Sequence, residues 1–191
     1  MAQTDTARQI TDFLRSLRAI RQFEPRHVPE DVVSDLLEVA RWSGSASNQQ
    51  PAEIVVVRER ATLKGLAGVE GYVGHLSGAP LAMVILMPGK WEEGEMFDEG
   101  RLSERIMLAG LAHGLGSSIG WFGDNGSNEA RRLLNVPHGR RLRTAIALGY
   151  PASKPRRGRR KPLDRLVHWE RYGARGAANS SSRVCSVGMS Q

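Results

Sequence analysis

LAGLAHGLGSSIGWFG, residues 108–123, decides how this chain is built. Its first half completes an apolar pattern that runs through Leu102, Ile106, Met107, Leu108, Ala109, Leu111 and Ala112. Residues Phe97 to His113 therefore read as one long helix, ended by the conformationally free Gly114 and Gly116. Ser117 to Phe122 then reads as a strand. That order, helix then glycine pair then strand, works against two chemistries that the same letters spell. Gly114-Leu115-Gly116 begins like a dinucleotide fingerprint, but Ile119 stands where the third glycine belongs. A phosphate-binding turn also needs its strand first and its helix second. Gly116-Ser117-Ser118-Ile119-Gly120 has the spelling of a nucleophile elbow, which again requires strand before helix so that the serine stands out on a sharp turn. A serine hydrolase using Ser118, with His138 or His168 as base, is kept as an alternative.

The apolar positions of the 97–113 helix cover most of its circumference, so it is expected to be buried on more than one side and to pack against a partner subunit. Upstream, Asp5 to Leu17 reads as a helix with Ile10, Phe13, Leu14 and Leu17 on one face. Pro29 to Trp42 is a second helix, with Val32, Val33, Leu36, Leu37 and Ala40 at helical spacing and Pro29 suited to the first turn. Ile54 to Arg58 is a strand rich in β-branched residues. Short helices follow at Ala61 to Leu66 and Tyr72 to Leu76. Leu81 to Met87 is apolar at every position, which predicts a central strand. Asn128 to Leu134 reads as a helix and Thr144 to Leu148 as a strand. From Ala174 onward the residues are polar, small and aperiodic, and predict a disordered tail.

With 191 residues, 40% of them hydrophobic and 25% charged, the chain can bury a core as a single domain. It has no run of 18 apolar residues, and Met1 to Asp5 lack the basic and apolar regions of a signal peptide. One cysteine, Cys185, cannot form an intrachain disulfide. The expectation is a cytoplasmic protein without a membrane partner. The formal charge of +7 is local: Lys154 to Lys161 (KPRRGRRK) supplies six of those charges without an acid. A nucleic-acid-binding module built on that segment is a further alternative. His27, His75, His113, His138 and His168 are scattered without paired metal-ligand spacing, so no metal is expected.

Two segments look built to hold a ligand. Gly44-Ser45-Ala46-Ser47-Asn48-Gln49-Gln50-Pro51 is small, polar and turn-forming, and it lies between a helix and a strand. Its amides and hydroxyls suit a flat, polar partner. In Ser16-Leu17-Arg18-Ala19-Ile20-Arg21-Gln22-Phe23, the apolar residues can anchor the backbone while Arg18 and Arg21 aim at one spot. Arginine is well suited to a phosphate through forked hydrogen bonds. The alternative is a pair of surface arginines bridged to Asp12 or Glu24.

Four segments taken in order resemble the FMN-dependent nitroreductase family. LRAIRQFEPRHVPEDVV is similar to the family's opening arginine-rich motif with its Val-Pro and helix. WSGSASNQQPAEIVVV is similar to its Pro-Ser-x-x-Asn-x-Gln-Pro turn and first strand. LAGLAHGLGSSIGWFG resembles its interface helix, glycine pair and flavin-proximal strand. LGYPASKPRRGRRKPLDRLVHWERYG resembles its Leu-Gly-Tyr-Pro, basic residues and closing segment. The resemblance covers residues 13 to 173, and it implies one FMN-binding domain over 1–173 with residues 174–191 as tail. The implied fold is α+β, a central and mostly antiparallel sheet flanked by helices, in a two-fold homodimer with FMN at the interface.

The resemblance further implies that Arg18, Ala19 and Arg21 occupy the phosphate-anchoring motif, with Arg160 as another phosphate contact. Ser45, Ala46, Ser47, Asn48 and Gln50 would approach the flavin from the neighbouring subunit, and the backbone at Gly120 and Trp121 would lie near its ring. The implied chemistry is ping-pong hydride transfer. NADPH or NADH is the donor, and a nitroaromatic, quinone or similar flat, electron-poor molecule is the acceptor. No catalytic side chain, nucleic acid or membrane is needed. Flavin cleavage, dehalogenation or ring oxidation on the same fold are the alternative reactions. The chain departs from the pattern at Leu17 and Ala19, which remove phosphate ligands. It departs again at Gly44, which replaces a proline, and at Ala52, which replaces an aromatic residue and thins the packing beneath the turn.

Overall fold

Strand β2, Leu81–Met87, has all seven side chains buried, covered by helices and strands of the first 155 residues. The computed structural model describes residues 2–155 and 158–175. The chain divides into two compact units, Met1–Pro155 and Arg156–Gln191. In the first unit β2 lies inside a four-stranded sheet with β1 (Glu53–Val57), β3 (Gly116–Trp121) and β4 (Arg141–Gly149), in the order β1-β2-β4-β3. Every pairing of these strands is antiparallel. Leu81 lies opposite Leu148, which lies opposite Ser117, and Leu86 lies opposite Glu53. Beyond β3, Ala19 forms an isolated parallel bridge with Ser117.

Because side chains alternate across a strand, β2 feeds two cores. Leu81, Met83, Ile85 and Met87 meet one helical layer, made by α2 (Glu30–Arg41) and α4 (Glu92–Ala112) through Val33, Leu36, Leu102, Ile106 and Met107. Ala82, Val84 and Leu86 meet the other. There α3 (Arg60–Gly68) and α5 (Asp124–Leu133) contribute Leu63, Leu66 and Ala130, and Phe122 and Leu142 complete the cluster. The first helix, α1 (Ala2–Ser16), leaves Ile10 and Leu14 about half exposed. No helix among the described residues is long and apolar enough to cross a membrane.

The predicted elements are present, with the helix expected at 72–76 formed as a 3-10 turn at Gly74–Gly78, and several start earlier than expected, α4 and α5 by the widest margins. Helix α4 begins at Glu92 rather than Phe97. The Glu95 carboxylate folds back and accepts the N–H groups of Gly89, Lys90 and Trp91 at 2.9, 2.9 and 3.2 Å. It thus satisfies donors that a helix start leaves open. Helix α5 begins at Asp124 rather than Asn128. Its Gly126 lies so close to Glu70 that a Cβ would stand 1.9 Å from the Glu70 carbonyl oxygen, so glycine there is a packing requirement and not a helix break. Strand β4 extends the expected 144–148 to 141–149. Of the expected tail, Ala174 and Arg175 are hydrogen-bonded within the second unit, Ala174 N–H to the Arg171 carbonyl at 3.1 Å and Arg175 Nη1 to the Asp164 carbonyl at 2.6 Å. Residues 176–191, with Cys185, lie outside the described residues.

Glu95 also faces Arg141, whose Nη2 is 3.0 Å from its Oε2. Burial pushes this carboxyl up, but the three N–H donors and Arg141 pull it further down, to a net position below the usual carboxylate range. Glu95→Gln is expected to cost roughly 2–4 kcal/mol at neutral pH, since it leaves Arg141 with only its longer pair to Glu99, at 3.9 Å, and weakens the loop bonds. A depressed carboxyl adds stability that is present above its ordinary pKa of 4.5 and lost as pH falls through the lower folded value. The gap between wild type and variant in urea unfolding should therefore narrow in acid. A gap that holds constant with pH contradicts the assignment.

Candidate functional site

At the β3 edge, the Arg18–Arg21 segment leaves α1 and runs alongside the start of the strand. Ile20 N–H donates to the Ser117 carbonyl at 2.7 Å. Arg18 is half-buried, and its Nη1 caps the end of α1 through the Arg15 and Leu17 carbonyls, both at 2.6 Å. Arg21 is exposed. The salt-bridge alternative does not occur: Asp12 pairs with Arg15, and neither Arg18 nor Arg21 forms an ion pair among the described residues. Two guanidinium groups without carboxylate partners, one exposed and one half-buried, are a donor set that fits a phosphate.

Along β3 the same edge carries His75, Gly120 and Trp121. Gly120 is buried, and a Cβ there would lie 3.1 Å from Val73 Cγ1 and 3.3 Å from the His75 ring. Its lack of a side chain lets residues 72–75 lie against the strand. Burial lowers the His75 pKa below the usual histidine range, with the Ser118 backbone opposing and the Arg21 charge assisting. Trp121 is partly exposed and accepts the Tyr72 N–H on its carbonyl at 2.7 Å. Arg143 lies over its ring at 5.0 Å, and Arg143 is itself paired with Glu92.

The second polar segment sits elsewhere. Residues Ala46–Asn48 form one turn of 3-10 helix between α2 and β1. Three residues here adopt left-handed backbone without being glycine: Ser47 (φ 50), Asn48 (φ 53) and Gln50 (φ 51). Such conformations cost on the order of 1–3 kcal/mol each, and strain of this kind gathers at functional sites. Ser45 ties the turn together, its Oγ accepting the Gln50 N–H at 2.8 Å and its carbonyl the Asn48 N–H at 3.1 Å. Beneath lies a cavity of about 190 Å³ bordered by Ala40, Gly44, Pro51, Ala52 and Leu102 among others. The thin packing expected from Ala52 is thus present. Gly44 has a use that its sequence context hides, since Arg101 occupies the space its side chain would take, 2.1 Å from a built Cβ.

The register shows that these two segments are far apart in one chain. The turn enters β1 at the end marked by Glu53 and Leu86, whereas Ala19 sits beside β3 at the end marked by Ser117, Leu148 and Leu81. They occupy opposite edges and opposite ends of the sheet, a diagonal on the order of 20 Å from strand rise and spacing.

A model of the nitroreductase family matches residues 14–150. The chain belongs to the nitroreductase family. It is, with that family, an oxidoreductase. A relative from Methanothermobacter thermautotrophicus, provisionally named an NADH dehydrogenase/NAD(P)H nitroreductase, is 30% identical over 85% of this chain and 87% of its own. The NADH dehydrogenase of Thermus thermophilus is 28% identical over 80% of this chain and 91% of its own. Among solved structures, an FMN-dependent nitroreductase from Clostridium difficile superposes with a TM-score of 0.76 at 24% identity, covering 84% of this chain and 98% of its own. A Desulfovibrio desulfuricans protein provisionally named a nitroreductase, solved with FMN, gives 0.72 at 26% identity over 85% of this chain and 97% of its own.

Within this family fold, the hydrolase alternative fails on geometry. Ser118 is fully buried in mid-strand, where no substrate reaches its hydroxyl. His168 stacks on Tyr172 inside the second unit, and His138 borders a surface pocket with Arg131 and Arg132. Arg160 also lies in the second unit, its Nη1 on the Arg159 carbonyl at 3.0 Å. Arg156 and Arg157 of the basic segment are outside the described residues. The sequence reading missed Asp98 and Arg101, because among the five charged residues of 97–113 nothing marks these two until the chain folds and brings them to the turn. Filling the cavity with Ala52→Phe is expected to add roughly 1–2 kcal/mol of stability, read as a rise of roughly 2–6 °C in Tm. A fall in Tm shows that the cavity does not admit the ring.

Proposed function

We propose that the protein is an NAD(P)H-dependent FMN oxidoreductase that reduces nitroaromatics, quinones or similar flat, electron-poor acceptors. The observation that carries this is the pair of polar segments at opposite corners of one sheet, each fitted to a different part of a flavin nucleotide. Arg18 and Arg21 would hold the phosphate. The Ser45–Gln50 turn would hydrogen-bond the ring system, and the backbone at Gly120 and Trp121 would lie along its edge. When bound, FMN would supply the two-electron redox chemistry between a nicotinamide donor and the acceptor. The residues of the chain bind, orient and exclude water, so no side-chain acid, base or nucleophile is required.

Since one chain separates the segments, the site needs a second copy that sets its turn against the first chain's arginines. A homodimer is also favoured by apolar groups that one chain leaves uncovered: Ile10 and Leu14 on α1, Ile119 and Trp121 on β3, and Phe97 on α4. In a two-fold pair both sites form at once.

Anaerobic titration tests the reading: FMN-loaded protein should bleach with NADH or NADPH and recover its absorbance with a nitroaromatic or quinone. Protein that neither copurifies with FMN nor takes it up overturns it. Arg18→Ala and Arg21→Ala should each weaken FMN binding by roughly 1–3 kcal/mol, about 5- to 150-fold. A mixing experiment addresses the shared site. Arg21→Ala chains and Asn48→Ala chains, each poor in FMN binding, should on subunit exchange regain roughly a quarter of wild-type sites, because each heterodimer holds one intact site. No regain would place both segments in one subunit's site.

A further inference from the structure

Asp98 and Arg101 lie nearly one helical turn apart on α4, about fifty residues from the Ser45–Gln50 turn, and both reach it. Asp98 is buried, with 8% of its surface exposed, and its Oδ2 accepts the Ala46 N–H at 3.1 Å. Arg101 Nη1 stands 3.6 Å from the other carboxylate oxygen, and its guanidinium covers Gly44. The remaining hydrogen bonds of the turn are local, from Gln50 and Asn48 to Ser45, from Gln49 to Ala46 and from Gln50 to Asn48. Below it is the cavity, so packing does not hold it from that side. Left-handed backbone at Ser47, Asn48 and Gln50 persists only where neighbouring structure over-determines it. On this side of the molecule that structure is the α4 pair.

We propose that Asp98 and Arg101 are positioning residues that preset the turn for FMN. Asp98 fixes the backbone at Ala46, one residue before the left-handed run, and Arg101 clamps Gly44 while placing its charge beside the Asp98 carboxylate. Neither residue is assigned a contact with the flavin; they act through the geometry of the turn. Gly44, which stands where the resemblance has a proline, is then the residue that admits the arginine. A turn held in its binding conformation before the ligand arrives does not spend binding energy on ordering itself. This proposal rests on the flavin reading given above.

Two measurements on Asp98→Ala, Asp98→Asn and Arg101→Ala test it. The first is hydrogen exchange of the amides of residues 45–50 in flavin-free protein, which is independent of FMN. The second is FMN affinity by fluorescence titration, with the visible circular dichroism of the bound flavin. Asp98→Ala should speed exchange in the turn and weaken FMN binding, each about tenfold or more, while the Tm of the flavin-free protein stays within a few degrees. Asp98→Asn keeps an oxygen acceptor for the Ala46 N–H and should recover most of both. Arg101→Ala, at a half-exposed position, should move both in the same direction by a smaller factor.

Unchanged exchange in Asp98→Ala overturns the brace. So does an equal loss in the alanine and asparagine variants that tracks a fall in Tm, since that marks general destabilisation. Should Asp98→Ala fail to fold, unchanged exchange in Arg101→Ala overturns the proposal in its place. Wild-type protein that binds no FMN removes the functional reading and the flavin part of this one together, whereas wild-type binding with unaltered exchange in the variants removes only the brace.

Discussion

A strand buried on both faces constrains the whole molecule. β2 has no position at which a polar side chain can reach water, so each face must be sealed by its own helical layer. Those layers, α2 with α4 and α3 with α5, take most of the apolar side chains of four helices. Polar function is thereby driven to the margins of the sheet. Both polar segments are at those margins, one before β1 and one beside β3.

The same constraint separates them. Four antiparallel strands place the entrance to β1 and the start of β3 at diagonal corners, so neither segment can complement the other within one chain. The proposed flavin site therefore presupposes a second copy. The exposed apolar groups of α1, β3 and α4 are consistent with a chain that leaves part of its burial to association. Small-molecule sites often lie at such boundaries, because two surfaces that close together can enclose a ligand that neither could hold alone.

Charge within α4 follows a related logic. Its first half carries the exposed Glu92 and Glu93 and the buried Glu95, Asp98 and Glu99, and burying carboxylates is unfavourable unless they are paired or hydrogen-bonded. Glu92 meets Arg143, Glu95 caps the loop before the helix and meets Arg141, and Asp98 takes the Ala46 N–H. Glu99 is pushed up by burial, although Thr144, Arg141 and Arg143 pull against that. The helix that looks in sequence like an apolar rod is, over its first turns, a polar strut that supports two loops.

Periodicity made the elements legible without a structure. The all-apolar run at 81–87 marked the centre of the sheet, and the helix-then-strand order at 108–123 ruled out the dinucleotide turn. Composition alone set 44–51 and 16–23 apart as candidate ligand-binding segments. Element boundaries were less legible. The start of α4 depends on a carboxylate that folds back onto backbone donors, and the start of α5 on a glycine that only Glu70 explains. By itself the sequence determined which segments are strands and helices and which apolar residues form the core, because those follow from short-range spacing. Only the tertiary structure decided that the two polar segments stand at opposite corners, that Ser118 is sealed inside a strand, and that Asp98 and Arg101 meet a turn fifty residues away. Those relations depend on strand order and register, and no local pattern along the chain encodes them.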